Sequence, residues 1–238
     1  MDVHHGFIVG IFNYCDRWCD SCAFTSRCRL FADKAEIEAS LDPSLKALMD
    51  APPYEAPSPP PPWLAELLEE MDDAIHKPTT DDDLLERPLA PEHVIIEARA
   101  HDYRTRVFRR MQEQGLAVPH NPADPEAVIL WFHTLISAKI HRALHGLAHD
   151  SPEDPDWPAP DYDGSAKVAL LGIERSHEAW RALVERGAAT DAEAASFIAA
   201  LVWLGEALEQ AFPNARAFVR PGFDEPEEVS KLLAGERR

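Results

Sequence analysis

PEAVILWFHTLISAKIHRALHGLAH, residues 125–149, reads as one long helix and sets the fold class. Ile129, Phe132, Ile136, Ile140, Ala143 and Leu147 recur at steps of three and four, the period of a single helical face. Pro125 and Glu126 suit the first turn, where a missing N–H costs nothing and a negative charge meets the helix dipole. The same pattern surrounds this stretch. PEHVIIEARAHDYRTRVFRRMQEQ, residues 91–114, offers a stripe of Val94, Ala98, His101 and Phe108, flanked by Ile96, Tyr103 and Val107, with Gly115 as a stop. A third helix is predicted from Ser165 to about Arg186, with Ala169, Ile173, His177, Trp180 and Val184 inward and Gly187 closing it. A fourth begins at Thr190 or Asp191, where Thr190 and Glu193 form a capping box, and continues through Phe197, Ile198, Leu201, Leu204, Leu208 and Phe212. No segment alternates with period two, so no strand is expected. Four such helices predict an all-α protein whose C-terminal part, residues 91–212, is a four-helix bundle.

Three other regions flank the bundle. Residues 1–50 contain every cysteine and one short helix, and read as a metal-binding module. Residues 51–90 form a proline-rich and acidic connector. Seven of the 21 prolines fall in APPYEAPSPPPP, residues 51–62, which suits an extended spacer. A short amphipathic helix is predicted within it over residues 63–76. Residues 213–238 form a C-terminal tail. The chain has 238 residues and a formal charge of −19, so its surface repels phosphate backbones and general nucleic-acid binding is disfavoured. No apolar run reaches the ~20 residues a bilayer span needs. The N-terminus lacks a basic leader, which predicts a cytoplasmic location.

The four cysteines, Cys15, Cys19, Cys22 and Cys28, follow a C-x3-C-x2-C-x5-C spacing. Short loops close at small entropic cost, so four thiolates this near in sequence can converge on one ion or cluster. Disulfides are the redox alternative, but a reducing compartment keeps such thiols open. Zinc sites of four cysteines usually pair two knuckles across a longer loop. The compact spacing here favours a [4Fe-4S] cluster, whose iron corners are well separated, with zinc as the alternative. Tyr14, Trp18, Phe24, Leu30 and Phe31 would shield it, and Arg17, Arg27 and Arg29 would offset thiolate charge.

CDSCAFTSRC, Cys19 to Cys28, resembles the end of the iron–sulfur loop in DNA glycosylases of the endonuclease III type. That loop is C-x6-C-x2-C-x5-C and binds a [4Fe-4S] cluster. By position, Cys19, Cys22 and Cys28 match its last three ligands and Cys15 its first, although three residues rather than six precede Cys19. The loop is N-terminal here and C-terminal there, and no helix-hairpin-helix glycine pattern accompanies it. The resemblance therefore implies the cluster type and not the glycosylase activity. The first three cysteines also share C-x3-C-x2-C with radical S-adenosylmethionine enzymes, but that family's alternating strands and helices are missing.

In the bundle, His101, His133 and His177 lie on the predicted inward stripes, with Glu97 and Glu174 nearby. Glu174-x-x-His177 is similar to the pairs of ferritin-like di-iron bundles, which imply non-haem iron held by Glu97, His101, His133, Glu174 and His177. Only one such pair is present, where that family has two. His93-x3-Glu97-x3-His101 and His141-x3-His145-x3-His149 resemble hemerythrin-type steps, with His145 and His149 towards a solvent edge. The alternatives are histidines hydrogen-bonded along a bundle and a small-molecule pocket. A basic stripe, Arg99, Arg104, Arg106, Arg109 and Arg110, pairs with acidic loops such as 151–163 or binds an anion.

Three functional expectations follow. The first is an iron–sulfur protein of redox or regulatory character. The second is a non-haem iron oxidoreductase fed by the cysteine site. The third is a zinc-stapled adaptor for a protein partner.

Overall fold

The computed structural model describes residues 2–40, 88–115, 121–148 and 162–225. Its contacts divide the chain into two compact units, residues 33–87 and the remainder. The predicted helix over 63–76, the polyproline segment and the acidic loop near 151–161 lie outside the described residues. So does the far end of the tail.

Among the described residues, five α-helices carry the fold. They are α1 (Arg29–Ser40), α2 (Pro91–Gln114), α3 (Pro125–Ala148), α4 (Tyr162–Glu185) and α5 (Asp191–Ala211). Of α1, the residues from Asp33 on belong to the smaller unit, where Lys34 and Glu38 pair at the i,i+4 spacing, 3.5 Å apart. Helices α2 to α5 form the expected bundle. Each packs on the next, and α5 closes back on α2. Local signals set their ends. Gly115 stops α2 in the left-handed conformation, φ 62°. The Thr190 side chain accepts from the Glu193 N–H at 3.2 Å to start α5. No described helix is long and apolar enough to cross a membrane.

A correction concerns strands. Val3–His4 and Phe7–Ile8 form a two-stranded antiparallel ladder with Val3 opposite Ile8 and His4 opposite Phe7. His5 and Gly6 turn it with φ of 51° and 86°, the conformation a two-residue hairpin needs. Two-residue strands are too short to display any period, so sequence alternation has nothing to show.

A second correction concerns the inward face of α2. Val94, Ala98, His101 and Phe108 are exposed, and the buried set is Ile96, Ala100, Tyr103, Val107 and Arg110. Both stripes satisfy helical spacing. What selects between them is the partner surface. Trp180 of α4 stacks on Phe197 of α5 with centroids 4.2 Å apart, and its Nε1–H donates to the Tyr103 hydroxyl at 3.3 Å. Burial pushes that phenol up to about 12. Arg110 lies over the Trp180 ring at 5.3 Å and donates to Glu126 and Glu193 at 2.9 and 2.8 Å. A guanidinium can be buried only when charge and hydrogen bonds meet it from several sides, and α3, α4 and α5 do so together. Of the basic stripe only Arg110 is buried; Arg104 and Arg106 are half-buried, and Arg99 and Arg109 are exposed. Arg106 donates to Ser196 at 2.6 Å, and Arg99 lies 5.1 Å over Trp203.

The cysteine segment is not a separate body. Residues 1–32 and the described tail belong to the same compact unit as the bundle. Tyr14 meets Phe218 at 4.9 Å, and both rings crowd Gly164 on α4. A Cβ at Gly164 would sit 2.3 Å from the Tyr14 ring and 2.8 Å from Phe218. Gly164 is required there by close approach rather than by backbone angle.

Two outcomes are expected in urea unfolding. Gly164→Ala destabilises by about 1–3 kcal/mol through overpacking, while Gly146→Ala, whose Cβ would meet Tyr162 at an ordinary 3.5 Å, does not. Arg110→Ala costs about 3 kcal/mol, the low end for a broken buried pair, because Glu126 and Glu193 still reach solvent.

Candidate metal centre

The four cysteines line one cavity. Its walls are apolar: Ile11, Phe12, Trp18, Phe24, Phe31 and Phe223. Short 3-10 turns, rather than long elements, place the sulfurs. Ile11–Asn13 precedes Cys15, Cys19–Ser21 carries Cys19 and leads to Cys22, and Thr25–Arg27 leads to Cys28. Cys28 then begins α1, its carbonyl accepting from the Ala32 N–H at 3.1 Å.

Two sulfurs are met by backbone donors two residues onward. The Phe24 N–H donates to Cys22 Sγ at 3.4 Å, and the Arg17 N–H is directed at Cys15. Such N–H···S contacts stabilise thiolates that ligate metals. Arg17 takes a left-handed conformation, φ 62°, which costs energy in a residue with a side chain. Asp16 holds it in place. Asp16 Oδ1 accepts from the Trp18 N–H at 3.1 Å, and its Oδ2 pairs with Arg175 of α4 at 2.8 Å. The Asp16 carbonyl accepts from Trp131 Nε1 at 2.7 Å, and Lys139 donates to the Asn13 carbonyl. Trp18 stacks on Trp131 with centroids 5.1 Å apart and lies edge-on to Phe132.

Burial pushes the Cys15 thiol up, and Asp16 and Cys19 add to the rise against the opposing Arg17 N–H and charge. Burial also pushes Cys22 up, with help from Cys15, Asp16 and Cys19. Without a cation these sulfurs favour their neutral form. None of the four forms a disulfide.

The donor set fits a thiolate-bound metal group. The choice between cluster and single ion rests on spacing. Zinc–sulfur bonds of ~2.3 Å put tetrahedral sulfurs about 3.8 Å apart. Among the described residues, the set of three cysteine, histidine or carboxylate ligand atoms within 4.8 Å of one another contains no cysteine. No three of the four cysteine sulfurs all lie within 4.8 Å of one another. Trp18 adds an indole N–H that is buried without a protein partner, a donor suited to a sulfur-rich anionic group.

Sequence reasoning missed one wall. Residues 213–225 return over the cysteine segment. Phe223 packs edge-on to Phe24 at 5.0 Å, joining the small core of Ile8, Ile11 and Phe24. Asp224 fixes this return. It pairs with Lys167 of α4 at 2.7 Å and with Arg220 at 2.7 Å, and these bonds outweigh burial to hold its carboxyl well below the usual range. The only sequence signal is a Pro-Gly turn at 221–222 beside two aromatics. Of the proposed shielding residues, Leu30 is exposed, and of the arginines expected to offset thiolate charge, Arg29 lies over Phe7 at 5.6 Å.

The expected bundle iron site is not assembled. His101 is exposed and contacts Arg104 through Nδ1 at 3.3 Å. His133 is buried with Nδ1 2.7 Å from the Leu130 carbonyl of its own helix, and burial pushes its pKa down. It is a neutral core histidine. Glu174 is exposed and pairs with Arg216, while His177 is half-buried, and the two are not brought together with the other expected ligands. Glu97 instead joins His141 and His145 of α3. Partial burial alone would raise the Glu97 carboxyl, but both histidines outweigh it and hold it low.

No family model, curated protein or solved structure matches the chain. Its function is read from the site alone.

The thiol shifts set a pH dependence for the metal-free protein. Near pH ~8.5, the ordinary thiol range, the unfolded chain releases these protons while the folded chain keeps them. Stability should therefore fall as pH rises through that range. Urea midpoints at pH 7.5 and 9.5, compared with a quadruple Cys→Ser variant, check this. A midpoint drop larger in the wild type is expected.

Proposed function

We propose that the chain is an iron–sulfur protein of redox or regulatory character, with Cys15, Cys19, Cys22 and Cys28 holding a [4Fe-4S] cluster. The observation that supports this reading is the convergence of all four cysteines on one apolar cavity, together with their compact C-x3-C-x2-C-x5-C spacing. When bound, such a cluster supplies a one-electron couple whose potential depends on hydrogen bonding and solvent access.

The chain's own residues serve that role in distinct ways. Cys15, Cys19, Cys22 and Cys28 would supply a thiolate to each iron of such a cluster, which would leave no open iron for substrate and disfavour Lewis-acid chemistry. Ile11, Phe12, Phe24 and Phe223 give the cavity apolar walls beside the half-buried cysteines. The backbone N–H groups of Arg17 and Phe24 stabilise negative charge at Cys15 and Cys22. Asp16, Trp18 and Asn13 tie the cysteine loop to α3 and α4 through Trp131, Lys139 and Arg175. A change of charge or loss of the cluster would reach the bundle through those same contacts, which is the basis of a regulatory role.

Iron, zinc and acid-labile sulfide analysis of anaerobically purified full-length protein tests the proposal. Four irons and four sulfides per chain are expected, with a brown absorption band that Cys22→Ser weakens or abolishes. A colourless protein with one zinc and no sulfide would overturn it and leave the zinc-stapled adaptor.

A further inference from the structure

Away from the cysteine cavity, the described residues bring metal-type ligands together at one other place. Glu97 on α2 faces His141 and His145 on α3, and their ligand atoms lie within 4.8 Å of one another. We infer that these three side chains form a second metal site, for a borderline first-row divalent ion such as Zn2+, Co2+ or Ni2+.

The geometry is close to what such an ion needs. Glu97 Oε1 lies 2.5 Å from His141 Nδ1 and 3.3 Å from His145 Nε2. Metal–nitrogen and metal–oxygen bonds of ~2.0–2.2 Å place tetrahedral ligand atoms about 3.3–3.6 Å apart. Both distances to Glu97 Oε1 are within an ångström of that spacing, so small side-chain adjustments would admit an ion. The backbone is already arranged. His141 and His145 are one turn apart, which puts both imidazoles on one face of α3, with ring centroids 4.1 Å apart. The carboxylate comes from the neighbouring helix, so two packed helices fix the spacing and no loop is needed.

The donor types agree with the spacing. Imidazole nitrogen suits zinc, nickel and cobalt, and one carboxylate lowers the net charge of the bound ion. Three protein ligands leave an open position for water or an exogenous ligand. His141, Glu97 and His145 have side-chain exposures of 61%, 33% and 24%, so an ion can enter from solvent while part of the site stays sheltered. The groove lined by Glu97 and His141 also carries Arg104 and Ser137. A water or small anion completing the shell would find hydrogen-bond donors there. The chain as a whole carries a formal charge of −19, which draws cations towards it at long range. This site is independent of what the cysteines hold.

Equilibrium dialysis of full-length protein, as purified with its cysteine site loaded, against Zn2+ and then Co2+ tests the inference. One added equivalent is expected. The Co2+ form should show ligand-field bands without a sulfur-to-metal charge-transfer band, which separates this site from the thiolates. His141→Ala and Glu97→Gln should each weaken binding tenfold or more and leave the metal content of the cysteine site unchanged. His141 is mostly exposed, so its replacement leaves the core intact, and far-ultraviolet circular dichroism checks that. Absence of an added equivalent in the wild type would overturn the site. So would its retention in both variants, or a thiolate charge-transfer band from the added Co2+.

Discussion

Asp16 is the residue on which the cysteine cavity depends. Its backbone carbonyl receives the Trp131 indole, one carboxylate oxygen caps the turn at Trp18, and the other pairs with Arg175. These bonds hold Arg17 in a left-handed conformation that it would not adopt alone. That conformation brings the Arg17 N–H towards Cys15 and sets the path to Cys19. A loop of fourteen residues with four sulfurs is otherwise free to choose many arrangements. Here the choice is made by a surface of α3 and α4 that the loop cannot supply itself.

The two ends of this arrangement handle charge differently. At the cysteine segment, cations of the bundle reach outwards to carbonyls and carboxylates. Lys139 meets Asn13, and Lys167 meets Phe218 and Asp224. Near the Tyr103, Trp180 and Phe197 cluster, Arg110 is instead enclosed and neutralised by two glutamates from separate helices. An arrangement of this kind is weak as a source of stability but strict about which neighbours are acceptable. It fixes the rotation of α2. That rotation in turn brings Glu97 towards α3 and leaves His101 in solvent. The position of the candidate divalent site and the absence of a central iron site thus share one cause.

The tail contributes by covering rather than by ligating. Phe223 closes the small core of Ile8, Ile11 and Phe24, and Gly222 permits that approach. At Gly222, φ is 79° and a Cβ would lie 3.0 Å from Ile8, so both conformation and space require glycine. Apolar closure around thiolates raises their pKa values when no cation is present, which couples cation binding to proton release.

By itself, the sequence determined the all-α class, the four bundle helices with their caps at Gly115, Gly187 and Thr190, and the four cysteines as one set. Those features are local: periodicity, turn chemistry and short spacing carry them within a few residues. The tertiary structure alone decided which face of α2 is inward, because Ile96 and Val94 satisfy the same helical period and only Arg110's distant partners separate them. It also decided that Glu97 meets His141 and His145 rather than His133 and Glu174. The return of Phe223 over the cysteines was likewise settled by packing. Each of these depends on side chains far apart in the chain, and no period or spacing encodes a contact between Glu97 and His145 or between Asp16 and Arg175.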